Sequence, residues 1–303
     1  MPSRKPREAG LRDLFRTRNA AMRNVLETVE KILDHDVSIL ILGESGTGKD
    51  HLAESIHASS ARRHGPYVHI DCASIPADLF ESELFGHERG TFTDAQSRKV
   101  GKLEAAGRGT VYFDEISALT APLQAKLLRA VEERRFSRLG GSGSIPFEAR
   151  VISSTSADPR SLRQDLYYRL NVVTLQLPPL RERPEDVLPL ARAFARRRRF
   201  DAAAERLLTG HAWPGNIREL RNAVERALLL ADGERLTAAS LPLFSGQELV
   251  AAAARGTWTL EELESHYIRE ILEATRRNYS RAAEILGINR KTLLEKRKKY
   301  GLE

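Results

Sequence analysis

The sequence predicts a parallel α/β domain that gives way to an all-helical C-terminal half. Three observations carry that expectation. An apolar run, Val37-Ser38-Ile39-Leu40-Ile41-Leu42, leads into Gly43-Glu44-Ser45-Gly46-Thr47-Gly48-Lys49-Asp50 and then a helical pattern over 50–59. Apolar strand patterns recur at 67–71, 110–113, 149–154 and 172–177 with helical stretches between them, an order that needs a parallel sheet covered on both faces. After Pro178-Pro179 no strand pattern is expected, and the chain turns helical from Glu185.

Composition allows two or three domains. Of 303 residues 41% are hydrophobic, enough for ordinary globular cores. A net charge of +7 leans toward an anionic partner. The single cysteine, Cys72, excludes an intramolecular disulfide framework and suits a reducing compartment. Met1-Pro2-Ser3-Arg4-Lys5-Pro6 is basic, but no apolar segment follows it as a secretory signal would need. No uncharged stretch approaches the roughly 18 residues that span a bilayer. The expectation is a cytoplasmic protein with no membrane partner.

In chain order, residues 1–10 read as a disordered tail. Leu14, Met22, Leu26, Val29, Ile32 and Leu33 fall at helical spacing within 11–33, with Asn19 as N-cap. The glycine-rich loop lets several backbone N–H groups point at a phosphate chain. The following helix N-terminus adds partial positive charge and Lys49 a full one. A Ser or Thr usually follows this lysine and holds Mg²⁺ through its hydroxyl; here the residue is Asp50. The strand at 110–113 ends in Asp114-Glu115, two carboxylates that are costly at a buried strand end unless they face a ligand. Downstream of such a loop, Asp114 would hold the Mg²⁺ shell and Glu115 would polarise the attacking water. Asp50 stands with Asp114 as the candidate metal pair. Leu123, Leu127, Leu128 and Val131 share one face of a helix over 123–133, and Gly140-Gly141-Ser142-Gly143 is a turn. The run Arg196-Arg197-Arg198-Arg199 reads as a solvated helix face or a DNA contact.

Several motifs together carry a resemblance. They are the loop 43–50, Glu83-Leu84-Phe85-Gly86-His87-Glu88-Arg89-Gly90, Asp114-Glu115-Ile116, Asp165-Leu166-Tyr167-Tyr168-Arg169-Leu170, Leu177-Pro178-Pro179-Leu180-Arg181-Glu182-Arg183 and Trp213-Pro214-Gly215-Asn216-Ile217-Arg218-Glu219-Leu220. With them the chain closely resembles the AAA+ ATPases of bacterial enhancer-binding proteins, activators of sigma-54 RNA polymerase. The resemblance implies an AAA+ α/β nucleotide-binding subdomain at 11–180 and a helical lid at 181–244. It also implies ATP and Mg²⁺ as cofactors and a homo-oligomer, from dimer to hexameric ring. Arg163 and Arg169 match its arginine fingers, which reach a neighbour's nucleotide, and Arg218 matches the lid arginine that contacts nucleotide in its own subunit. Gly90-Thr91-Phe92-Thr93-Asp94-Ala95 matches the sigma-contacting loop, with Asp94 where the family has glycine. Ser156 stands where the family commonly has a sensor Asn. Asp71 replaces an Asn that restrains the catalytic glutamate, so two carboxylates, Asp71 and Glu115, would repel each other and slow or regate hydrolysis.

After a linker at 245–257 comes a small helical unit at 258–303. Thr259-Leu260-Glu261-Glu262 fits a capping box. Two short helices around Leu286-Gly287-Ile288 make a helix-turn-helix pattern, which resembles the Fis-type DNA-binding unit of the same family. Between Arg276 and Tyr300 nine Lys/Arg and two Glu give a net +7, equal to the whole chain's excess. That concentration fits phosphate contact with double-stranded DNA, the alternative being a dimerisation hairpin. Asn289 is the expected N-cap, placing Arg290, Lys291 and Thr292 at the groove-entering end, with Lys296 and Arg297 farther along. The resemblance also implies a sigma-54 polymerase holoenzyme partner. The regulatory domain usual ahead of such an ATPase is not seen, which implies a regulator acting in trans or a fragment. Competing readings are a regulator whose ring is only a nucleotide-controlled oligomerisation switch, and a DNA-repair or replication motor.

Overall fold

A computed structural model describes residues 15–301 apart from 16, 92–96, 197, 232–234, 242–258, 276–278, 280–281 and 284–285. The expected tail at 1–10, the whole linker at 245–257 and the Phe92–Ala95 part of the loop lie outside the described residues. The chain forms two compact units, residues 1–241 and 242–303.

In the first unit, five strands form one parallel sheet: β1 (Ile39–Leu42), β2 (Tyr67–Asp71), β3 (Thr110–Asp114), β4 (Arg150–Thr155) and β5 (Val173–Gln176). Their spatial order is β2-β3-β4-β1-β5. Ile39, Leu40 and Ile41 are fully buried, as a strand between two neighbours and under two helical layers requires. Alternation along β3 divides the core. Val111 and Phe113 pack with Phe80, Leu127 and Leu166 on one face, whereas Tyr112 packs with Met22, Leu52 and Ile56 on the other. The second face is covered by α1 (Ala20–Ile32) and α2 (Lys49–Ser59). The first face carries α3 (Ala77–Phe85), α4 (Ala121–Glu133) and α5 (Gln164–Leu170). The helix expected over 11–33 is described from Ala20, where Asn19 Oδ1 accepts from Met22 N at 3.0 Å.

The lid contains α6 (Pro184–Phe194), α7 (Ala202–Gly210) and α8 (Asn216–Leu230). Pro184 opens α6, where a missing N–H costs nothing. Trp213 is fully buried and donates its indole N–H to Leu208 O at 2.9 Å, so Trp213→Ala should cost about 3–5 kcal/mol. Arg196, Arg198 and Arg199 of the arginine run do not form a helix face. Arg198 donates to the Leu228 and Ala231 carbonyls at the end of α8, and Arg199-Phe200 pairs in parallel with Arg235-Leu236. That pairing is also a short strand ladder beyond Pro179, where sequence periodicity predicts none.

The second unit has α9 (Leu260–Ala274) and α10 (Arg290–Lys299) around Ile268, Leu272, Ala282, Ala283 and Leu293. Thr259 and Glu262 bond reciprocally, Glu262 N to Thr259 Oγ1 at 3.2 Å and Thr259 N to Glu262 Oε2 at 2.8 Å. Gly287, with φ +66, turns the chain before α10, a conformation a Cβ would oppose.

Candidate nucleotide site

The site lies at the carboxyl ends of β1, β3 and β4, where an open parallel sheet leaves a crevice. The glycine loop follows β1, Asp114 closes β3 and Ser156 lies just past β4. Register puts Leu42 beside Thr155, so loop and strand ends come level. The loop from Ser45 to Asp50 and the carboxylates Asp114 and Glu115 line a cleft of about 1210 Å³ with Phe15, Arg183 and Arg218.

Within the loop, Gly46 and Gly48 take φ of +78 and +100, which side chains resist. A Cβ on Gly46 would also sit 2.5 Å from Gly215 O, so the lid's approach demands glycine there. Gly46 O accepts from Ile217 N at 2.9 Å, and Arg218 donates to Ser45 Oγ at 2.9 Å. Thr47 is buried, and its hydroxyl donates to Glu44 O at 2.8 Å.

Lys49 is 5% exposed and donates to Gly43 O at 3.0 Å and Glu44 O at 3.3 Å, with Glu115 Oε1 3.1 Å away. Glu115 Oε2 accepts from Ser156 N and Oγ, both at 2.9 Å. Burial alone would raise the Glu115 pKa. The Ser156 N–H, the Lys49 charge and the Ser156 hydroxyl outweigh it, and the net direction is down. The carboxylate is thus ionised and oriented, as a group that polarises water must be.

The expected clash of Asp71 with Glu115 does not occur. Asp71 caps its own turn, Oδ1 accepting from Ala73 N at 3.0 Å and Ser74 N at 3.1 Å, while Ser74 Oγ donates to Oδ2. The Ser74 hydroxyl, followed by those N–H groups, lowers its pKa against the opposing effect of burial. Ser156, not residue 71, restrains Glu115.

Sequence reasoning missed the groups behind the carboxylates. Tyr112 Oη lies 3.0 Å from Asp50 Oδ1, 3.0 Å from Asp114 Oδ1 and 3.0 Å from Ser154 Oγ, which donates to Asp114 Oδ1 at 2.5 Å. Burial pushes the phenol pKa up, as do the negative charges of Asp50 and Asp114, so it stays a donor. Its alternation onto the α2 face was the available signal. Arg183 is 4% exposed and gives one N–H to Thr47 O at 2.9 Å, while its Nε has no partner among the described residues. Glu44, expected at the nucleotide, turns its carboxylate to Arg181 at 2.6 and 2.8 Å and to Asn216 at 3.2 Å. Those bonds, Arg181's first, lower its pKa.

Arg163 and Arg169 do not line the cleft. Arg163 is paired with Asp165 at 2.7 Å and half exposed, and among the described residues Arg169 reaches Val131 O at 3.5 Å. Gly90 and Thr91 open the loop after α3, Thr91 Oγ1 anchoring to Glu88 O and Leu139 O at 2.6 and 3.0 Å. In the second unit Asn289 Oδ1 accepts from Thr292 N at 2.8 Å, and Arg290 and Lys291 are exposed. Lys296 pairs with Glu264 at 2.7 Å, and Arg297 donates to Tyr279 Oη at 2.6 Å.

Comparisons with known proteins decide the family. The family model described as the sigma-54 interaction domain matches residues 15–176, more than half of the chain. The chain belongs to that family. An AAA+ ATPase lid domain matches residues 181–256 and a Fis-family bacterial regulatory protein domain matches 259–300. It is therefore an AAA+ ATPase of the sigma-54-dependent regulators with a Fis-type helix-turn-helix domain. It is similar to the transcriptional regulatory protein FlbD of Caulobacter vibrioides, 41% identical over 93% of this chain and 69% of that one. Similar too are ZraR of Klebsiella oxytoca, 45% identical over 91% of this chain and 66% of its length, and AtoC of Escherichia coli, 41% over 95% and 68%. A crystal structure of NtrX from Brucella abortus matches with TM-score 0.70 at 35% identity over 94% of this chain and 69% of that one. That protein is also described in complexes with ADP and with ATP. A RuvB structure from Thermotoga maritima, 16% identical with TM-score 0.53, shares the fold. No described helix is long and apolar enough to cross a membrane.

Proposed function

We propose that the chain hydrolyses ATP between subunits of a ring, up to a hexamer, and uses turnover to remodel closed sigma-54 polymerase complexes while its Fis-type unit holds upstream double-stranded DNA. The observation that carries the reading is Glu115, ionised and fixed by Ser156 and Lys49 beside Asp114 at the mouth of a glycine loop.

In this reading nucleotide binding draws Lys49 from Glu115 onto the outer phosphates and leaves Glu115 Oε1 free to take a proton from water. Arg218 and the unpartnered Arg183 Nε meet the nucleotide from the lid side. Arg163 and Arg169, lying outside their own cleft, supply the neighbour's transition state with bidentate donors. The oxygen-only donor pair Asp50 and Asp114 fits a hard divalent ion such as Mg²⁺, and when bound that ion neutralises phosphate charge. The 90–95 loop meets the sigma factor, Arg290 and Lys291 meet DNA, and a second copy of α9 pairs with the first to match half-sites. The protein works in the cytoplasm.

Transcription from a sigma-54 promoter with purified holoenzyme, with and without ATP, tests this. ATP-dependent open complexes are expected. ATP-dependent assembly with no transcript would replace the reading by an oligomerisation switch.

A further inference from the structure

The glycine loop is held by its carbonyls. Lys49 engages Gly43 O and Glu44 O. The next three carbonyls are taken from the lid. Ser45 O accepts from Asn216 Nδ2 at 3.0 Å, Gly46 O from Ile217 N at 2.9 Å and Arg218 N at 3.3 Å, and Thr47 O from Arg183 Nη2 at 2.9 Å.

A trans peptide unit is planar, and its N–H points opposite to its C=O. No described peptide bond is cis, so clamping those three carbonyls turns the N–H groups of Gly46, Thr47 and Gly48 away from the lid contacts. Gly46 and Gly48 take left-handed φ of +78 and +100, and Thr47 between them does not. That alternation curls successive N–H groups into a hollow that suits an anion. Among the described residues the Gly46 and Gly48 N–H groups have no hydrogen-bond partner, and Thr47 N makes a long contact of 3.3 Å with Glu44 O. Donors left without acceptors in a cleft are the places where a phosphate oxygen adds bonds.

The lid holds this arrangement at some cost. Asn216 is fully buried at φ +54, a backbone conformation that side chains seldom adopt. Its amide is used completely: Oδ1 accepts from Leu180 N at 2.7 Å, and Nδ2 gives its two N–H groups to Ser45 O and to Glu44 Oε2 at 3.2 Å. One side chain thus joins the chain entering the lid, the start of α8 and the loop. Arg183, buried just before α6, holds the next free carbonyl but one.

We propose that Asn216 and Arg183 are positioning residues for phosphate binding: from the lid they set the peptide planes whose N–H groups, on Gly46 and Gly48, meet the phosphate chain. The loop is an anion site only while the lid holds it. Loss of either side chain weakens the grip on phosphates without touching Phe15 or Leu190, which line other parts of the cleft. This rests on the cleft being the nucleotide site.

Two variants test it on the full chain. Asn216→Gly removes the amide and changes no charge, and glycine takes the left-handed backbone readily. Arg183→Lys removes the planar fork and keeps the charge. The fluorescent nucleotide mant-ATP and the phosphate-free mant-adenosine are titrated separately, each with Mg²⁺. Both variants should bind mant-ATP about tenfold more weakly, the effect of one or two misdirected charge-assisted bonds, and mant-adenosine within about twofold of wild type. The loss should persist at high salt, because no charge has been removed. Labelling with ¹⁵N-glycine gives a readout that a merely structural role would not move. Inorganic tripolyphosphate should shift the Gly46 and Gly48 amide signals of wild type and leave those of Asn216→Gly in place at the same concentration. Equal losses for both fluorescent probes in folded variants, unchanged mant-ATP affinity, or amide shifts like those of wild type overturn the inference and leave the nucleotide reading standing. Failure of wild type to bind mant-ATP sinks the nucleotide reading itself.

Discussion

The two units of this chain handle charge in opposite ways. In the first, Lys49, Asp114, Glu115 and Asp50 converge, and every one has its direction set by a neighbour: Lys49 by two loop carbonyls, Glu115 by Ser156, Asp50 and Asp114 by Tyr112. In the second, charges are displayed. Arg290 and Lys291 stand exposed at the first turn of α10, and the organised groups there are the cap formed by Asn289 and the ion pairs of Lys296 with Glu264 and Lys299 with Glu261. Bond rearrangement needs groups fixed before the substrate arrives, whereas contact with a long polyanion needs charges that can adjust to it.

The largest expected effect breaks the convergent side outright. Lys49→Ala removes the loop's cation and the two bonds that close the loop, so mant-ATP binding should fall by about 3 kcal/mol or more, two buried charge-assisted bonds being lost together. DNA affinity at fixed protein concentration should stay near wild type if the two units act separately. Measurable nucleotide binding at wild-type strength would remove Lys49 from the phosphate site.

Glu115→Gln keeps the shape and loses the charge. Binding should persist and turnover should fall about 10²–10⁴-fold, the usual contribution of a positioned base. Arg169→Ala should bind nucleotide and also fail to turn over. Mixed with Glu115→Gln, it should recover part of the activity at interfaces receiving one intact group from each chain. Mixed oligomers as inactive as either parent would count against catalysis in trans.

Ser156→Ala and Asp71→Asn set the structure against the expectation from sequence. Ser156→Ala deletes one of the two bonds Ser156 makes to the Glu115 carboxylate, worth about 1.5–3 kcal/mol in orienting a charged group. Its turnover should fall by roughly that amount, with little change in binding. Asp71→Asn, whose side chain serves the Ser74 turn, should leave turnover within a few-fold. The reverse ranking would return residue 71 to the control of Glu115.

This contrast also marks where sequence reading runs out. The five parallel strands and the convergence of Lys49, Asp114 and Glu115 were legible, because glycine spacing and apolar runs fix backbone geometry and backbone geometry fixes those positions. The strand order was not read from sequence, and Arg218 was placed by the family resemblance alone. What Asp71 and Tyr112 do was not. Each depends on a hydroxyl supplied from elsewhere, Ser74 three residues on or Ser154 on the adjacent strand, and no periodicity reports a side-chain partner. The C-terminal charge count was legible as a sum and misleading as a surface, because neutralisation by Glu261 and Glu264 comes from a different helix. The strand pair formed by Arg199 and Arg235 is too short to leave a pattern.

In the reader, Arg290→Ala should cost about 1–3 kcal/mol on the operator and less on scrambled duplex if it contacts a base edge. The finest distinction is between two lysines on α10. Lys298 is exposed and has no ion-pair partner among the described residues, so Lys298→Ala should weaken all duplexes alike and flatten the salt slope by about one unit. Lys296 holds Glu264, whose carboxyl is kept low first by that bond and then by the Tyr300 hydroxyl. Lys296→Ala should therefore change the slope by much less than one unit. Glu264→Gln should act in the opposite direction and steepen it, because it frees Lys296 for phosphate. Isotherms at several salt concentrations resolve all three. Equal slopes for the two lysine variants would mean that DNA draws Lys296 off Glu264, and that the second unit, like the first, rearranges an internal ion pair when its ligand binds.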